Sequence, residues 1–295
     1  HPASVTEIHR KYLAAGADIV ETNTFGASLV GMEEFALPAE LVGEINAAAV
    51  ACAKKATEEF TDRDPDKPRF VAGSIGPTAK QTAISTKVDD AAYRNTTFEE
   101  MRSSYYGQVK ALVEAGADLL LPETVIDTLN LKACLFAISQ YFEESGNSIP
   151  VMISGTFDQG GRTFVSGQSV EAFWNAVSHF PMFSIGMNCA LGPQKMRAYI
   201  EELSNVSEVP ISCYPNAGLP NEMGQYDLDP KAMAGLVGEF AANGWVNIMG
   251  GCCGTTPDHI RAIAEEVQKH QPHKASSLPS YTRLSGQQSL VLRPE

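Results

Sequence analysis

The stretch Val246-Asn-Ile-Met-Gly-Gly-Cys-Cys-Gly-Thr-Thr256 joins a short apolar run to a glycine-rich turn that carries two adjacent cysteines. The run Val246 to Met249 predicts a β-strand, and Thr255 or Thr256 would cap a helix whose first residue is Pro257. The pattern is therefore strand, tight loop, helix. In parallel α/β folds, side chains at the carboxyl ends of strands face a common ligand site, so we expect the two thiols there.

The same alternation of strand and helix extends over most of the chain. Seven strands are predicted, at residues 18–24, 70–74, 119–123, 151–156, 183–188, 210–214 and 246–249. Eight helices are predicted, at residues 2–15, 39–60, 98–115, 128–144, 170–179, 193–204, 230–243 and 257–269. Strict alternation of the two element types indicates a parallel sheet.

Seven strands are one fewer than a closed eight-fold barrel contains, and the first predicted element is a helix. The simplest interpretation is an α/β fold of the (β/α)8 TIM-barrel type, whose first strand is missing from this fragment and lies upstream of His1. A doubly wound open sheet is the alternative, but the glycine-rich dinucleotide turn typical of that fold is absent from the sequence. We expect the barrel to occupy residues 1–270 and the Pro- and Ser-rich residues 271–295 to be a linker.

Composition excludes several classes of function. Hydrophobic residues make up 44% of the 295 residues and charged residues 19%, which is typical of a globular protein with a sizeable core. The net charge of −13 argues against a nucleic-acid partner, which needs a basic surface. The longest apolar runs are too short to span a membrane. No signal or transit peptide is visible, so a reducing cytoplasm is the expected location.

The cysteines allow three interpretations. With only 6 cysteines in the chain and no framework spacing, a disulfide scaffold is disfavoured. A metal site is a second interpretation, because Gly250, Gly251 and Gly254 permit the sharp bend that would let both thiols reach one ion. Cys189 ends another apolar run just before a predicted helix and is the best candidate for a third ligand. The remaining interpretation is that all three cysteines are small buried hydrophobic residues.

Three thiolates around zinc would favour a particular chemistry. They fill three tetrahedral positions and leave one open, whereas structural zinc sites usually have four protein ligands. The six histidines lie on predicted helices or in the tail, so none is expected to complete the site. Zinc deprotonates a bound thiol. A fourth sulfur bound beside three anionic ones stays nucleophilic, which suits alkyl transfer to a substrate thiol better than water activation.

At this point the sequence resembles a known family. The segments Gly250-Gly-Cys-Cys-Gly-Thr-Thr-Pro257 and Gly186-Met-Asn-Cys-Ala-Leu-Gly-Pro193 resemble motifs of the homocysteine S-methyltransferases. Five further segments resemble the N-terminal homocysteine-binding module of cobalamin-dependent methionine synthase: Glu21–Phe25, Gly76–Thr78, Ile153–Thr156, Tyr214–Pro220 and Arg283–Gly286. The resemblance covers nearly the whole chain.

The resemblance implies specific roles for residues of this chain. Cys189, Cys252 and Cys253 would hold zinc, and Glu123 would bind the amino group of homocysteine. Asn216 would lie near the metal and occupy its open position when substrate is absent. Three further polar residues would line the site: Ser154, Thr156 and Asn188. From the residues alone, the favoured interpretation of Glu123 is a solvated strand-end carboxylate or a helix N-terminal charge, which the resemblance reverses. The alternative for Asn216 is an Asx turn.

The function implied is methyl transfer to homocysteine, giving methionine. The methyl donor would be methylcobalamin bound by another domain, so homocysteine and the cobalamin and folate domains of a longer protein are the expected partners. One family feature is absent: this chain has no Asp-Gly-Gly-Met-Gly-Thr-like first strand, whose Asp contributes to the site. Two alternatives stay open, a free-standing enzyme that uses betaine or S-methylmethionine and a non-catalytic, zinc-stabilised scaffold barrel.

Overall fold

The computed structural model of the protein describes residues 1–293. The chain divides into two compact units, one formed by His1–Val151 and the other beginning at Met152. Both are α/β units in which helices alternate with parallel strands. Within residues 1–293, no helix is both long and apolar enough to span a bilayer.

The first unit contains five helices and three strands. In chain order these are α1 (Pro2–Ala14), β1 (Ile19–Glu21), α2 (Leu29–Glu33), α3 (Leu41–Arg63), β2 (Phe70–Ile75), α4 (Phe98–Glu114), β3 (Leu119–Pro122) and α5 (Thr128–Ser145). The strands form one parallel sheet in the order β1-β2-β3. A core cluster that includes Leu13, Val20 and Val71 packs α1, β1 and β2 together, as expected for a sheet whose helix-facing side is apolar.

The second unit contains four helices, a four-stranded parallel sheet and a hairpin. The elements are β4 (Met152–Gly155), α6 (Val170–Val177), β5 (Ser184–Asn188), α7 (Pro193–Val206), β6 (Ile211–Tyr214), α8 (Pro230–Ala242), β7 (Ile248–Met249), α9 (Pro257–Val267), β8 (Thr282–Ser285) and β9 (Ser289–Leu292). The parallel sheet has the order β4-β5-β6-β7. Strands β8 and β9 pair antiparallel with each other.

The seven predicted parallel strands are confirmed in the part of the chain described, but the helix count is one higher than predicted. The additional helix is α2, which has only five residues and therefore shows no apolar periodicity. Its N-cap is Ser28, whose side chain accepts a hydrogen bond from Gly31 N–H. Gly31 is required by packing, because a Cβ there would lie 2.5 Å from the Gly26 carbonyl oxygen.

The segment predicted as a linker contains the β8–β9 hairpin, which packs against the start of α6. Ser285 Oγ donates to the Ala172 carbonyl at 2.6 Å, and Ser169 N–H donates to the Gln287 carbonyl at 2.9 Å. Gln168 Nε2 donates to the Gly286 carbonyl at 2.9 Å. The turn of the hairpin is therefore held by hydrogen bonds to the start of α6 and to the residues just before it.

Candidate metal centre

The backbone places Cys189 at a sharp turn directly after β5. Both Cys189 and Ala190 have positive φ, 64° and 56°, which is uncommon for residues that carry a Cβ. Cys189 N–H donates to the Tyr214 carbonyl at 3.1 Å, and Asn216 N–H donates to the Leu191 carbonyl at 3.0 Å. These bonds join the turn to the chain that leaves β6 and compensate for the strained conformation.

A second loop brings Cys252 and Cys253 to the same segment after β6. Cys252 N–H donates to the Pro215 carbonyl at 2.8 Å, and the Cys253 carbonyl accepts from Ala217 N–H at 2.9 Å. Gly254 follows with a φ of 78°, which reverses the chain before α9. Adjacent residues can thus present both thiols on one side of the loop.

The three sulfur atoms form a compact cluster. They lie within 4.8 Å of one another, and Cys189 Sγ is 3.7 Å from Cys253 Sγ. In a tetrahedral site with metal–sulfur bonds of about 2.3 Å, two sulfurs are about 3.8 Å apart. The cluster therefore fits zinc in spacing as well as in donor type. Among the described residues, these three cysteines form the one group of three or more His, Cys, Asp or Glu side chains that lie close enough to share a metal ion.

Hydrogen bonds within the cluster separate the acidities of the thiols. Donation from the Cys252 thiol, aided by Ala190 N–H and the Asn216 side chain, lowers the pKa of Cys189 to about 6. The same bond to Cys189 raises the pKa of Cys252, and burial raises that of Cys253. A bound metal ion would displace the protons that the thiols still carry.

The polar residues predicted to line the site surround the cysteines. Ser154 Oγ donates to Asn188 Oδ1 at 2.7 Å, and Thr156 Oγ1 donates to the Asn188 carbonyl at 2.9 Å. Asn188 Nδ2 in turn lies 3.9 Å from Cys252 Sγ. Asn216 Oδ1 accepts from Cys253 N–H at 3.1 Å. Asn188 and Asn216 therefore contact the cysteines directly, and Ser154 and Thr156 reach the cluster only through Asn188.

Glu123 belongs to the first unit, where it follows β3. Its side chain is buried, with 6% of its surface exposed, and Ser74 Oγ donates to Oε1. Gly73 faces α4, because a Cβ there would lie 3.1 Å from Leu112 Cδ1. Side chains alternate along a strand, so Ser74 faces away from the helices. Because its side chain is buried, Glu123 is not a solvated carboxylate. It does not cap α5 either, since the N-cap of that helix is Asp127.

The sequence reasoning missed one residue at the cluster, Tyr226. Its side chain packs on Gly254, the residue after Cys253, where an added Cβ would lie 2.4 Å from Tyr226 Cβ. Partial burial, followed by the nearby Cys253 thiol, raises the pKa of Tyr226. No sequence signal identified it, because a tyrosine 27 positions before Cys253 in a polar loop carries no spacing pattern.

Among the described residues, the group of side chains close enough to share a metal ion contains the three cysteines and no histidine. His259 is buried and has both ring nitrogens engaged. Its Nδ1 accepts from Thr256 N–H at 3.2 Å, which leaves Nε2 to donate to the Leu228 carbonyl at 2.7 Å. His259 therefore ties the start of α9 to the loop that carries Tyr226.

Comparison with known proteins agrees with this geometry. The model of the family described as homocysteine S-methyltransferase matches residues 1–267. The homocysteine methyltransferase MmuM from Escherichia coli has a similar fold at 23% sequence identity. Its oxidized form aligns with a TM-score of 0.72 over 90% of this chain and 85% of that one, and its metallated form with a TM-score of 0.69 over the same shares. Because the family model covers nearly the whole sequence, the chain belongs to the homocysteine S-methyltransferase family.

Proposed function

We propose that this chain binds homocysteine and activates its sulfur for methylation, with zinc held by Cys189, Cys252 and Cys253. The observation that carries the proposal is the 3.7 Å distance between the Cys189 and Cys253 sulfurs in a cluster no wider than 4.8 Å. Zinc, when bound, supplies a Lewis acid that keeps the substrate sulfur deprotonated at neutral pH. The three cysteine sulfurs leave one tetrahedral position for that substrate.

The chain's other residues orient the ligands and the substrate. Asn188 and Asn216 donate toward Cys252 and Cys189, which holds those sulfurs in place. We assign Glu123 to the ammonium group of homocysteine, since a buried carboxylate beside Ser74 would gain a charged partner there. Ser154 and Thr156 act through Asn188, which they hold by its side chain and its carbonyl.

The fold proposal that accompanies this function is the (β/α)8 barrel. Seven parallel strands alternating with helices support it, as does the likeness in fold to MmuM. We also keep the proposal that residues 271–295 lead toward a folate-binding domain. The β8–β9 hairpin lies within that segment.

For the methyl donor we propose methylcobalamin, presented by another domain of a longer protein in the cytoplasm. The motifs shared with the homocysteine module of methionine synthase support this choice. Methylcobalamin would supply an electrophilic methyl group, so that the homocysteine sulfur would gain a bond to the methyl carbon and the donor would retain the electron pair of the bond it loses. The free-standing alternative is supported by MmuM, a homocysteine methyltransferase similar in fold along 85% of its length.

A donor comparison tests the proposal. The zinc-loaded protein is incubated with homocysteine and, in separate reactions, methylcobalamin, betaine or S-methylmethionine, and methionine is measured by mass spectrometry. We expect methionine with methylcobalamin and none with the Cys252→Ala variant. Methionine from betaine or S-methylmethionine alone would establish the free-standing alternative. A zinc-loaded protein that neither binds homocysteine nor forms methionine with any donor would be a scaffold.

A further inference from the structure

Ser74 lies on β2 next to the end of β3, and its hydroxyl donates to Glu123 Oε1. Both side chains are buried, with 2% and 6% of their surface exposed. Glu123 N–H also donates to the Ile75 carbonyl at 3.0 Å, so its backbone is joined to the same strand. Strand β2 therefore holds Glu123 through both its main chain and its side chain.

The backbone of Ser74 is itself fixed by two buried threonines that follow β1. Ser74 N–H donates to Thr22 Oγ1 at 3.0 Å, and Thr24 Oγ1 donates to the Ser74 carbonyl at 2.7 Å. The two threonine hydroxyl oxygens are 2.7 Å apart. Because the Thr24 proton is directed to the Ser74 carbonyl, Thr22 is the donor in that pair. The three residues thus close a ring of hydrogen bonds around the Ser74 backbone.

Gln108 of α4 supports this ring from the helix side. Its side chain is buried, and Nε2 donates to the Thr24 carbonyl at 2.8 Å and lies 3.3 Å from the Ser74 carbonyl. The main chain of Ser74 is therefore held by the segment after β1 and by α4, neither of which involves Glu123. Its hydroxyl is left to serve the Glu123 carboxylate.

We propose that Ser74 is a positioning residue for the substrate, which orients the Glu123 carboxylate toward the ammonium group of homocysteine by donating its hydroxyl to Oε1. This inference rests on the role proposed for Glu123. A buried carboxylate needs hydrogen-bond donors to offset the loss of water, and bonds to a charged acceptor are stronger than neutral ones. A donor held as firmly as Ser74 also fixes the direction in which the carboxylate faces.

Ser74→Ala tests the inference, because it removes the hydroxyl and keeps the main-chain hydrogen bonds. The matched control is Ser104→Ala on α4, which is equally buried and whose hydroxyl accepts from Val30 N–H at 2.9 Å. Each zinc-loaded protein is titrated calorimetrically with homocysteine and with γ-mercaptobutyrate, which keeps the thiol and the carboxylate but lacks the amino group. The titrations are repeated with Glu123→Gln and with the double variant that carries both Ser74→Ala and Glu123→Gln.

In Ser74→Ala we expect homocysteine to bind about tenfold more weakly, as for the loss of a hydrogen bond to a charged group. The affinity for γ-mercaptobutyrate should equal that of the wild type, because this ligand has no ammonium group. In the Glu123→Gln background, Ser74→Ala should change neither affinity, since the carboxylate through which it acts is gone. Ser104→Ala should match the wild type with both ligands.

A purely structural role of Ser74 would weaken the binding of both ligands alike. Equal losses for the two ligands, or an unchanged homocysteine affinity, in Ser74→Ala overturn the inference alone when Glu123→Gln loses the wild-type preference for homocysteine. Wild-type protein that does not distinguish the two ligands, or a Glu123→Gln variant that keeps the preference, overturns the assignment of Glu123 and this inference together.

Discussion

Cys189 reaches the cluster through a backbone conformation that its own sequence does not favour. Non-glycine residues with positive φ cost of the order of 1 kcal/mol or more, and two occur in succession at Cys189 and Ala190. Such strain persists where the surrounding structure holds it, here through the hydrogen bond from Cys189 N–H to the Tyr214 carbonyl. The backbone strain at Cys189 and Ala190 is consistent with a turn whose role is to place the Cys189 thiol in the cluster.

The first prediction at the residue scale concerns the metal ligands. Purified, reduced protein should contain about one zinc ion per chain, and Cys252→Ala should lose it, because two sulfurs cannot complete the site. The control is Cys134→Ala, whose thiol is buried in the first unit. Elemental analysis measures the zinc content of the wild type, of Cys252→Ala and of Cys134→Ala. Full zinc retention in Cys252→Ala would remove that cysteine from the ligand set.

The second residue-scale prediction concerns Glu123. Glu123→Gln preserves the shape of the side chain but removes the charge that would pair with the substrate ammonium. A charged hydrogen bond of this kind contributes about 1.5–3 kcal/mol, so homocysteine affinity should fall about 10- to 100-fold. Calorimetric titration measures the affinity, and zinc content should stay at the wild-type level. Equal affinity in the two proteins would show that Glu123 does not contact the amino group.

The sequence identified the cysteines but not everything that holds them. Three glycines around the pair and the similar strand end at Cys189 made a shared metal site one of three interpretations, and the family resemblance favoured it. The three sulfurs do lie together. Tyr226 was not predictable, because its approach to Cys253 depends on the folding of the loop after β6. The same holds for Ser74, whose contact with Glu123 depends on the register of β2 against β3.

At the scale of elements, the start of α5 shows how a single side chain joins two segments. Asp127 is 2% exposed and caps α5 by accepting from Leu129 N–H and Asn130 N–H. Its other carboxylate oxygen accepts from Thr82 N–H and Ala83 N–H at 3.1 and 2.9 Å. The long loop between β2 and α4 is therefore attached to the helix N-terminus through this carboxylate.

We predict that Asp127→Ala lowers the free energy of unfolding by more than the loss of a helix cap alone would. Loss of a helix cap typically costs about 1 kcal/mol, and Ala83 N–H, left without its acceptor, adds about 1–3 kcal/mol. Thr82 N–H keeps a second acceptor in Asn130 Oδ1. The control is Asp229→Ala, because Asp229 caps the exposed start of α8 through two N–H groups alone. Urea unfolding should give a loss of about 2–4 kcal/mol for Asp127→Ala against about 1 kcal/mol for the control. Equal losses would contradict the double role of Asp127.

Element prediction from sequence succeeded where segments are long and periodic. Helices α4 and α5 and strand β2 begin within a residue of their predicted positions, because glycine, proline and capping residues flank them. The five-residue α2 and the β8–β9 hairpin were not predicted. Helix α2 depends on the close approach of Gly31 to Gly26, and the hairpin on its bonds with α6, so tertiary contacts determine both.

In the whole molecule, the family model matches a shorter length of chain than the structure describes. The match ends at residue 267, where α9 also ends. The hairpin thus lies beyond the matched residues, yet Arg162 Nη1 donates to the Gln287 carbonyl at 2.8 Å and Ser289 Oγ donates to Glu171 at 2.7 Å. The hairpin is therefore attached to Arg162 and to the start of α6, although it lies beyond the residues that the family model matches.

In the proposed function, homocysteine binds as a thiolate at the metal held by the three cysteines. A free thiol has a pKa of about 8.5 and is mostly protonated at pH 7. Binding of homocysteine to the zinc-loaded protein should therefore release about one proton per chain, since the ligating cysteines have already lost theirs. Calorimetric titration at pH 7 in two buffers with different ionisation enthalpies counts the protons, with methionine, which lacks a thiol, as the control ligand. Release of about one proton with homocysteine and none with methionine is the result we predict. Homocysteine binding without proton release would contradict the account.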